Sequence, residues 1–295
     1  MVLGNGSDAE SLEFTFKYNP PVDATAAERV LKEVKEILDQ SGIAFLLSSG
    51  TCLGAIRDGA IIAWDDDLDI MSVMGVDGLS KAKVDTALET FRNRGYYIYA
   101  SPGDHPSFSM IKDWVRTGWD CYLSEKETVV VYPKQEIPLR LLTQPKEITF
   151  LGERFLVPNP PEEYLRLKYG VAWRTPKRTG EYELDAVEKI PSVEIDGARC
   201  KLQVLDDVGK PVSGAEVSLV GYGRSTTDAN GYAELILPGV DWYALVIRFP
   251  GHEQVLYMEQ LQPELTFVYR ADSVAMASAA AGSTVGTLGN LLTRE

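Results

Sequence analysis

Four aspartates lie within five consecutive positions of the sequence and are close enough to act together. In a strand, side chains at positions i and i+2 share a face. We therefore expect Asp65, Asp67 and Asp69 to project together, with Asp66 on the opposite face. Two carboxylates about 5 Å apart repel each other by roughly 3 kcal/mol at an effective dielectric constant of about 20. Such a cluster must be solvated, partly protonated or occupied by a cation.

A divalent cation fits this cluster best. Mg²⁺ and Mn²⁺ favour oxygen ligands, and Mg²⁺ is commonly held by one or two carboxylates together with substrate phosphates. The metal then neutralises charge that develops on a transferring phosphoryl group. An acidic surface loop is the alternative, but Ile62, Trp64 and Leu68 place the aspartates within apolar sequence. The pattern therefore predicts a metal–phosphate site with Mg²⁺ or Mn²⁺ as its cofactor.

A candidate phosphate-binding segment precedes the aspartates. Ser49, Gly50 and Thr51 lead into a short predicted helix that ends at Arg57. Glycine allows close approach of the backbone, and amides at a helix N-terminus bind phosphate. Arginine is a bidentate donor to phosphate or sugar-phosphate oxygens. We predict substrate or phosphate contacts from all four residues.

Asp120 lies in a strand-like aromatic segment, Trp119–Leu123, and is predicted to have a catalytic or metal-binding role. The chain has two histidines, so we expect a carboxylate such as Asp120 to deprotonate an acceptor hydroxyl. The alternative for Asp120 is a structural polar group. His105 is expected in a loop and His252 at the surface, and the sequence has no G-x-S-x-G motif to support a serine hydrolase.

The predicted elements that must position these residues alternate between helix and strand. A capping box at Thr25–Glu28 predicts the start of a helix that stops at Gly42, and Pro161 predicts the start of another that ends at Gly170. Between these helices, the predicted elements are strand 43–48, helix 51–57, strand 67–73, helix 79–94, strands 96–100, 108–114, 119–123 and 128–132, and a hairpin around Gly152.

From Cys200 to Arg270 the sequence pattern changes. It predicts short strands of alternating apolar and polar residues separated by turn residues, which is typical of a small β-sandwich. The element order suggests an α+β or α/β unit. We predict the α+β class, with a mixed sheet and flanking helices followed by an all-β sandwich domain. The predicted divisions are a polar lead-in at 1–22, the α+β domain at 23–194, the sandwich at 195–270 and a flexible tail at 271–295.

Composition restricts the partners. The formal net charge is −14, and without a basic stripe we expect no nucleic-acid binding. The three cysteines are far apart, which favours a reducing compartment over disulfides or a zinc site. The first residues do not resemble a signal peptide, and no apolar run is long enough for an integral membrane segment. We expect a cytoplasmic protein.

Two sequence blocks resemble the LicD/fukutin-type phosphotransferases, a branch of the polymerase-β-like nucleotidyltransferase superfamily. The family pattern G-T-L-L-G-A-hydrophobic-R corresponds to Gly50–Arg57, and P-W-D-D-D-hydrophobic-D-hydrophobic corresponds to Ala63–Ile70. Cys52 and Ala63 replace the usual Leu and Pro of the family pattern, and neither replacement alters a residue that is expected to take part in the chemistry. The second block consists of Val157-Pro158, Tyr164-Leu165, Lys168-Tyr169-Gly170 and Trp173, so the resemblance covers about residues 28–178.

The resemblance implies roles for several residues. Asp67 and Asp69 would be the principal metal ligands, with Asp65 as a further one, and Asp120 falls near a later aspartate-containing strand of the family. Tyr169 would help to shape the substrate pocket, or would pack as a helix end on the core. The implied activity is transfer of phosphocholine or a polyol phosphate from a CDP-linked small-alcohol donor to a glycan hydroxyl.

The segment from Gly209 to Ala215, together with Thr227–Tyr232, resembles carboxypeptidase regulatory-like, transthyretin-type β-sandwich modules. Glycine and asparagine there suit tight turns between strands. The resemblance implies a non-catalytic appendage that serves a structural role or binds a glycan or protein.

Two other functions remain open from the sequence. The first is nucleotidyl transfer from an NTP to a small molecule. The second is a non-catalytic glycan- or partner-binding protein that carries a decayed catalytic domain, although all the motif aspartates are present.

Overall fold

The computed structural model describes residues 4–101, 105–176, 187–271 and 291–295. The chain divides into two compact units. The first comprises residues 1–15 and 20–176, and the second comprises 16–19 and 177–295. The domain limits proposed from the sequence stay predictions. Most of the predicted tail, residues 272–290, lies outside the described residues.

Six α-helices occur in the described part of the chain. One of them falls within the predicted lead-in: the carboxylate of Asp8 accepts the backbone N–H of Ser11 at 2.8 Å and caps its first turn. The helices are α1 (Ala9–Tyr18), α2 (Ala24–Gln40), α3 (Ser49–Arg57), α4 (Lys81–Asn93), α5 (Arg140–Thr143) and α6 (Pro161–Tyr169).

Helix α2 begins earlier than predicted. Its N-cap is Asp23, whose side chain accepts the backbone N–H of Ala26 at 2.7 Å. The capping box proposed at Thr25 is therefore wrong, because an aspartate two residues earlier already satisfies the first free amides. The apolar positions read from the sequence do face the core, and Val30, Leu31 and Val34 are buried. Gly42 adopts a positive φ of 62° just beyond the helix.

A mixed five-stranded sheet forms the centre of the first unit, in the order β1-β2-β5-β4-β3. Strands β2 and β5 run parallel, and the other neighbours are antiparallel. Leu68 and Ile70 are fully buried on one face of β2, which leaves the opposite face for Asp69. The strands are β1 (Leu46–Leu47), β2 (Leu68–Val73), β3 (Tyr97–Ser101), β4 (Ser107–Lys112) and β5 (Val115–Tyr122).

Two smaller sheets complete the first unit. Strands β6 (Ser124–Glu125), β7 (Thr128–Val131) and β8 (Gln135–Pro138) form one of them, and β9 (Lys146–Phe150) pairs with β10 (Glu153–Val157) in the other. Pro161 stands at the first position of α6, and Gly170, with φ of 82°, follows its last residue. Both ends of α6 therefore agree with the sequence.

The second unit contains two four-stranded sheets, in the orders β14-β11-β17-β18 and β13-β12-β15-β16. Both sheets contribute buried side chains to one hydrophobic cluster, for example Leu202 from β11 and Leu245 from β15. Assignment to a carboxypeptidase regulatory-like sandwich stays a prediction. The strands are β11 (Ala198–Leu205), β12 (Glu216–Leu219), β13 (Gly223–Thr226), β14 (Tyr232–Leu237), β15 (Asp241–Phe249), β16 (His252–Leu261), β17 (Thr266–Arg270) and β18 (Thr293–Arg294).

The combination of helices with several largely antiparallel sheets confirms the predicted α+β class. Among the described residues, none of the helices combines the length and the apolar character that a membrane crossing requires.

Candidate active site

The carboxyl groups of Asp65, Asp66 and Asp67 converge immediately before β2. Each contributes an oxygen atom, and these three atoms lie within 4.8 Å of one another. The expectation that Asp66 points to the opposite face is wrong. The chain enters the strand only at Leu68, so the two-residue alternation does not apply to the three aspartates before it.

Arg116 neutralises part of this cluster, and sequence reasoning missed it. The parallel pairing of Leu68 with Thr117 places Arg116 beside Asp67. Its Nε donates to Asp67 Oδ2 at 3.2 Å, and its Nη2 donates to Asp66 Oδ2. Only 3% of the Arg116 side chain and 8% of that of Asp66 are exposed. The one available signal was spacing: Arg116 stands four residues before Asp120, on the same face of a strand.

The start of α3 holds Asp69 in place. The N–H of Gly50 donates to Asp69 Oδ2 at 3.0 Å, and Thr51 Oγ1 accepts the backbone N–H of Asp69 at 2.8 Å. The N–H of Ser49 donates to the hydroxyl of Tyr164 at 3.0 Å. Two amides of the predicted phosphate-binding turn therefore already have acceptors within the protein.

Gly50 is needed for its lack of a side chain. A Cβ at this position would lie 2.5 Å from Asp65 Oδ2, well inside van der Waals contact. Because Gly50 also donates to Asp69, its backbone passes between the carboxylates of Asp65 and Asp69. This close approach explains the glycine in the motif.

Asp65, Asp67 and Asp69 hold their protons unusually tightly. Burial, followed by repulsion from neighbouring carboxylates, raises the pKa values of Asp65 and Asp69 well above the ordinary range. Burial also raises the pKa of Asp67, to about 6, although Arg116 counteracts part of this effect. The cluster thus carries more negative potential than its surroundings compensate, a situation that a bound cation would relieve.

Asp120 lies on β5 on the same face as Gly118, the residue that pairs with Asp69. The Tyr122 hydroxyl donates to Asp120 Oδ2 at 3.0 Å, and His105 Nε2 lies 3.5 Å from Oδ1. Burial alone would raise the pKa of Asp120, but hydrogen bonds led by that of His105 lower it below its ordinary value. Asp120 therefore stays ionised at neutral pH.

His105 thus lies beside a predicted site residue. Its ring packs on Tyr122, with the ring centroids 4.6 Å apart. The sequence shows His105 only as a residue of a turn-like segment, because its proximity to Asp120 arises from the antiparallel pairing of β4 with β5.

Two predicted substrate-binding residues lie at helix ends. Arg57 closes α3, and its guanidinium forms two hydrogen bonds with Asp58, at 2.8 Å and 2.6 Å. At 1.5 Å per residue its backbone stands about 12 Å along the helix from Ser49. Tyr169 is buried at the last position of α6. Their roles toward substrate stay predictions.

Lys168 is a second cation of the site. It belongs to the second family-like block, but sequence reasoning assigned it no role. It is 4% exposed, and its ammonium donates to the backbone oxygen of Tyr132 at 2.5 Å. Burial lowers the pKa of Lys168 to about 8, while the charges of Asp69 and Asp120 favour its protonated form. The ammonium of this buried side chain is therefore within the electrostatic influence of Asp69 and Asp120.

The donor set fits a hard divalent cation. All the converging groups are carboxylate oxygens, which Mg²⁺ and Mn²⁺ prefer. Asp65 and Asp66 are buried, whereas Asp67 and Asp69 are half-buried. Arg116 contacts both Asp66 and Asp67, but Asp66 is the buried partner and Asp67 is partly exposed. The candidate ligands with accessible oxygens are therefore Asp67 and Asp69, with Asp65 adjacent.

The segment that contains these aspartates is similar to a known protein family. Residues 42–160 match the family described as LicD/FKTN/FKRP, nucleotidyltransferase domain. Ribitol 5-phosphate transferase FKRP from Mus musculus is 24% identical over 178 residues, which cover 55% of this chain and 35% of that protein. An uncharacterised protein from Rickettsia typhi is 36% identical over 75 residues, which cover 25% of this chain and 23% of that protein.

The aligned segments span about a third or less of the length of these curated relatives. The family match lies within the first unit and includes Asp65, Asp67, Asp69 and Asp120. Among solved structures, the antibiotic-resistance factor ANT(2'')-Ia is 13% identical with a TM-score of 0.38, over 56% of this chain and 81% of that one.

Proposed function

We propose that the first unit is a metal-dependent phosphotransferase that moves a phosphorylated small alcohol from a CDP-linked donor to a glycan hydroxyl. One observation carries the proposal: the segment that matches the LicD/FKTN/FKRP family, 42–160, contains Asp69 and Asp120 on the neighbouring parallel strands β2 and β5, and Asp67 immediately before β2. The mouse relative is described as a ribitol 5-phosphate transferase, which supports a polyol phosphate, beside phosphocholine, as the group moved.

Asp67 and Asp69 would hold Mg²⁺ or Mn²⁺, with Asp65 as a further ligand. When bound, the cation would neutralise charge on the donor diphosphate and favour departure of CMP. The protein orients the two principal ligands. Arg116 Nε fixes Asp67, and the N–H of Gly50 fixes Asp69.

Asp120 would accept the proton of the acceptor. The acceptor oxygen attacks the phosphorus that carries the alcohol, a new P–O bond forms, and the P–O bond to CMP breaks. The hydroxyl proton must leave in the same reaction. Because the pKa of Asp120 lies below its ordinary value, its carboxylate is ionised at neutral pH and is ready to accept a proton. His105 and Tyr122 hold this carboxylate in position.

Release of CMP tests this proposal. CDP-ribitol, CDP-glycerol and CDP-choline are incubated with the full chain and Mn²⁺, with and without a glycan acceptor. Wild-type protein is expected to release CMP from at least one donor, Asp69→Asn to lose the activity, and Asp113→Asn to retain it. Asp113 is an exposed carboxylate paired with Arg29 and serves as the matched control.

A second candidate reaction is nucleotidyl transfer from an NTP to a small molecule, because the matching family is itself described as a nucleotidyltransferase domain. The two reactions leave different products. Pyrophosphate from an NTP, with no CMP from any of the three CDP donors, would establish the second reaction in place of the first.

The second unit is proposed to be a non-catalytic β-sandwich appendage of the carboxypeptidase regulatory-like type. Its two sheets share one hydrophobic cluster, and glycines with positive φ stand at turns such as Gly209 and Gly214. A chain ending at residue 176 should, if it folds, release CMP as the full chain does. Loss of activity in a folded shortened chain would argue for a catalytic part of the second unit.

A further inference from the structure

Hydrogen bonds hold both the side-chain ammonium and the backbone oxygen of Lys168. Its Nζ donates to the backbone oxygen of Tyr132, the first residue of the β7–β8 connection. Its own backbone oxygen accepts Gln135 Nε2 at 3.1 Å, and the same amide donates to the oxygen of Leu167 at 3.2 Å. Gln135 is itself buried. The β7–β8 hairpin therefore sets both the main chain and the charged end of Lys168.

The face of α6 that carries Lys168 is turned toward the carboxylates. Tyr164 and Lys168 are four residues apart and so lie on one side of the helix. The Tyr164 hydroxyl accepts the N–H of Ser49, and the next amide, that of Gly50, donates to Asp69. One turn further along α6, Lys168 reaches the same region, where the charges of Asp69 and Asp120 act on it.

A diphosphate that enters this region meets several carboxylates and needs cationic contacts from the protein. Arg116 already binds Asp66 and Asp67, and Arg57 binds Asp58. The Lys168 ammonium has three N–H groups, and among the described residues one of them is accounted for by a hydrogen bond, to Tyr132. Lysine is a common point-charge ligand for phosphate.

From this placement we infer that Lys168 contacts a phosphate oxygen of the nucleoside-diphosphate donor, and that Tyr132 and Gln135 position it for that contact. The inference rests on the proposed phosphotransferase function and adds a substrate-binding residue to it. The resemblance and the family match assigned Lys168 no role, and the matched segment ends before it, at residue 160.

A purely structural counter-ion to Asp69 would behave differently from a phosphate ligand. Removing a counter-ion alters the carboxylates and therefore the affinity for the metal alone. Removing a phosphate ligand weakens binding of a diphosphate while leaving binding of the bare nucleoside unchanged. Affinities for Mn²⁺, for CDP with Mn²⁺, and for cytidine with Mn²⁺ separate the two roles.

The test measures these three affinities by calorimetry for wild type, Lys168→Met and Arg166→Met. Methionine retains most of the apolar stem, and Arg166 is an exposed cation on the same helix that serves as the control. We expect Lys168→Met to bind CDP about tenfold or more weakly, with cytidine and Mn²⁺ affinities unchanged, and Arg166→Met to match wild type.

Two further variants complete the design. If Lys168→Met does not fold, Lys168→Gln, which keeps a hydrogen-bond donor and removes the charge, is expected to show the same selective loss of CDP affinity. Lys168→Arg retains the charge and is expected to recover part of that affinity.

Unchanged CDP affinity in the uncharged variant, or an equal loss of Mn²⁺ affinity, would overturn the role of Lys168 while leaving the proposed reaction intact if wild type still releases CMP. A wild-type protein that neither binds CDP nor releases CMP would overturn both.

Discussion

Arg116 Nη2 lies 3.1 Å from Asp67 Oδ2, and the two residues occupy adjacent positions at the edge of the parallel β2–β5 ladder. Asp67 and Asp66 therefore share one buried cationic partner, Arg116. This pairing explains why burial raises the pKa of Asp67 only to about 6, whereas Asp65 and Asp69 are raised further.

Arg116→Met should destabilise the protein strongly. Breaking a buried ion pair from one side leaves the other charge uncompensated and costs about 3–5 kcal/mol, here for the carboxylates of Asp66 and Asp67. Urea denaturation without divalent metal measures the loss. The control is Arg154→Met, whose exposed pair with Glu147 should contribute less than about 1 kcal/mol. Equal losses in the two variants would show that the Arg116 pair is not buried as described.

Gly50→Ala should disturb the site through Asp65. The new Cβ would lie 2.5 Å from Asp65 Oδ2, so the carboxylate or the start of α3 must move, which costs roughly 1–3 kcal/mol. We expect lower stability and weaker Mn²⁺ binding together. Gly239→Ala provides the comparison, because a Cβ there would meet nothing within 4 Å. If Gly50→Ala binds Mn²⁺ as wild type does, the close approach has no bearing on the metal site.

A second buried acid, Glu259, lies in the other unit and was not foreseen from the sequence. It is 1% exposed and accepts the backbone N–H of Leu291 at 2.5 Å and that of Leu292 at 3.2 Å. Burial raises the pKa of Glu259 to about 8, although these two hydrogen bonds oppose the rise. The last described segment of the chain, which includes β18, is thus tied to β16 through one carboxyl group.

This shift predicts a pH dependence of stability. Unfolded glutamate titrates near pH 4.3, roughly, so between there and a pH of about 8 the native state binds a proton that the unfolded state has lost. The free energy of unfolding should therefore fall as pH rises, by up to about 1.4 kcal/mol per pH unit, and level off above that range.

Urea denaturation at several pH values checks this dependence. Glu259→Gln, which cannot ionise, should remove this contribution to the slope. Glu253→Gln, an exposed position on the same strand paired with Arg248, should follow wild type. The assignment is wrong if wild type and Glu259→Gln keep a constant difference in stability over the whole range.

The parts of the fold that sequence predicts well depend on local rules. Pro161 and Gly170 delimit α6 because proline suits the first helical turn and glycine suits the positive φ that follows the last. The aspartate run also indicates the site, because several carboxylates within apolar sequence repel one another unless a cation, protons or solvent compensate them. Gly50 indicates a close approach of the backbone. Spacing along one segment is enough for these predictions.

The features that the sequence did not reveal depend on contacts between distant segments. Arg116 and Asp67 are 49 positions apart, and their pairing follows from a parallel arrangement of strands that periodicity along each strand does not specify. Lys168 reaches the site because a helix face packs beside α3. The prediction for Asp66 failed for a local reason, since the strand begins three residues later than an alternating pattern starting at Asp65 requires.

Titration of the metal-free protein with Mn²⁺, followed by calorimetry, tests the central claim that these carboxylates hold a divalent cation. Asp69→Asn keeps the size of the side chain and an oxygen that can accept the N–H of Gly50, and Asp113→Asn is the exposed control. Wild type and Asp113→Asn should bind Mn²⁺ saturably, with Asp69→Asn weaker by about tenfold or more. Absence of Mn²⁺ binding by wild type at millimolar concentration, or equal affinity in Asp69→Asn, would contradict the account.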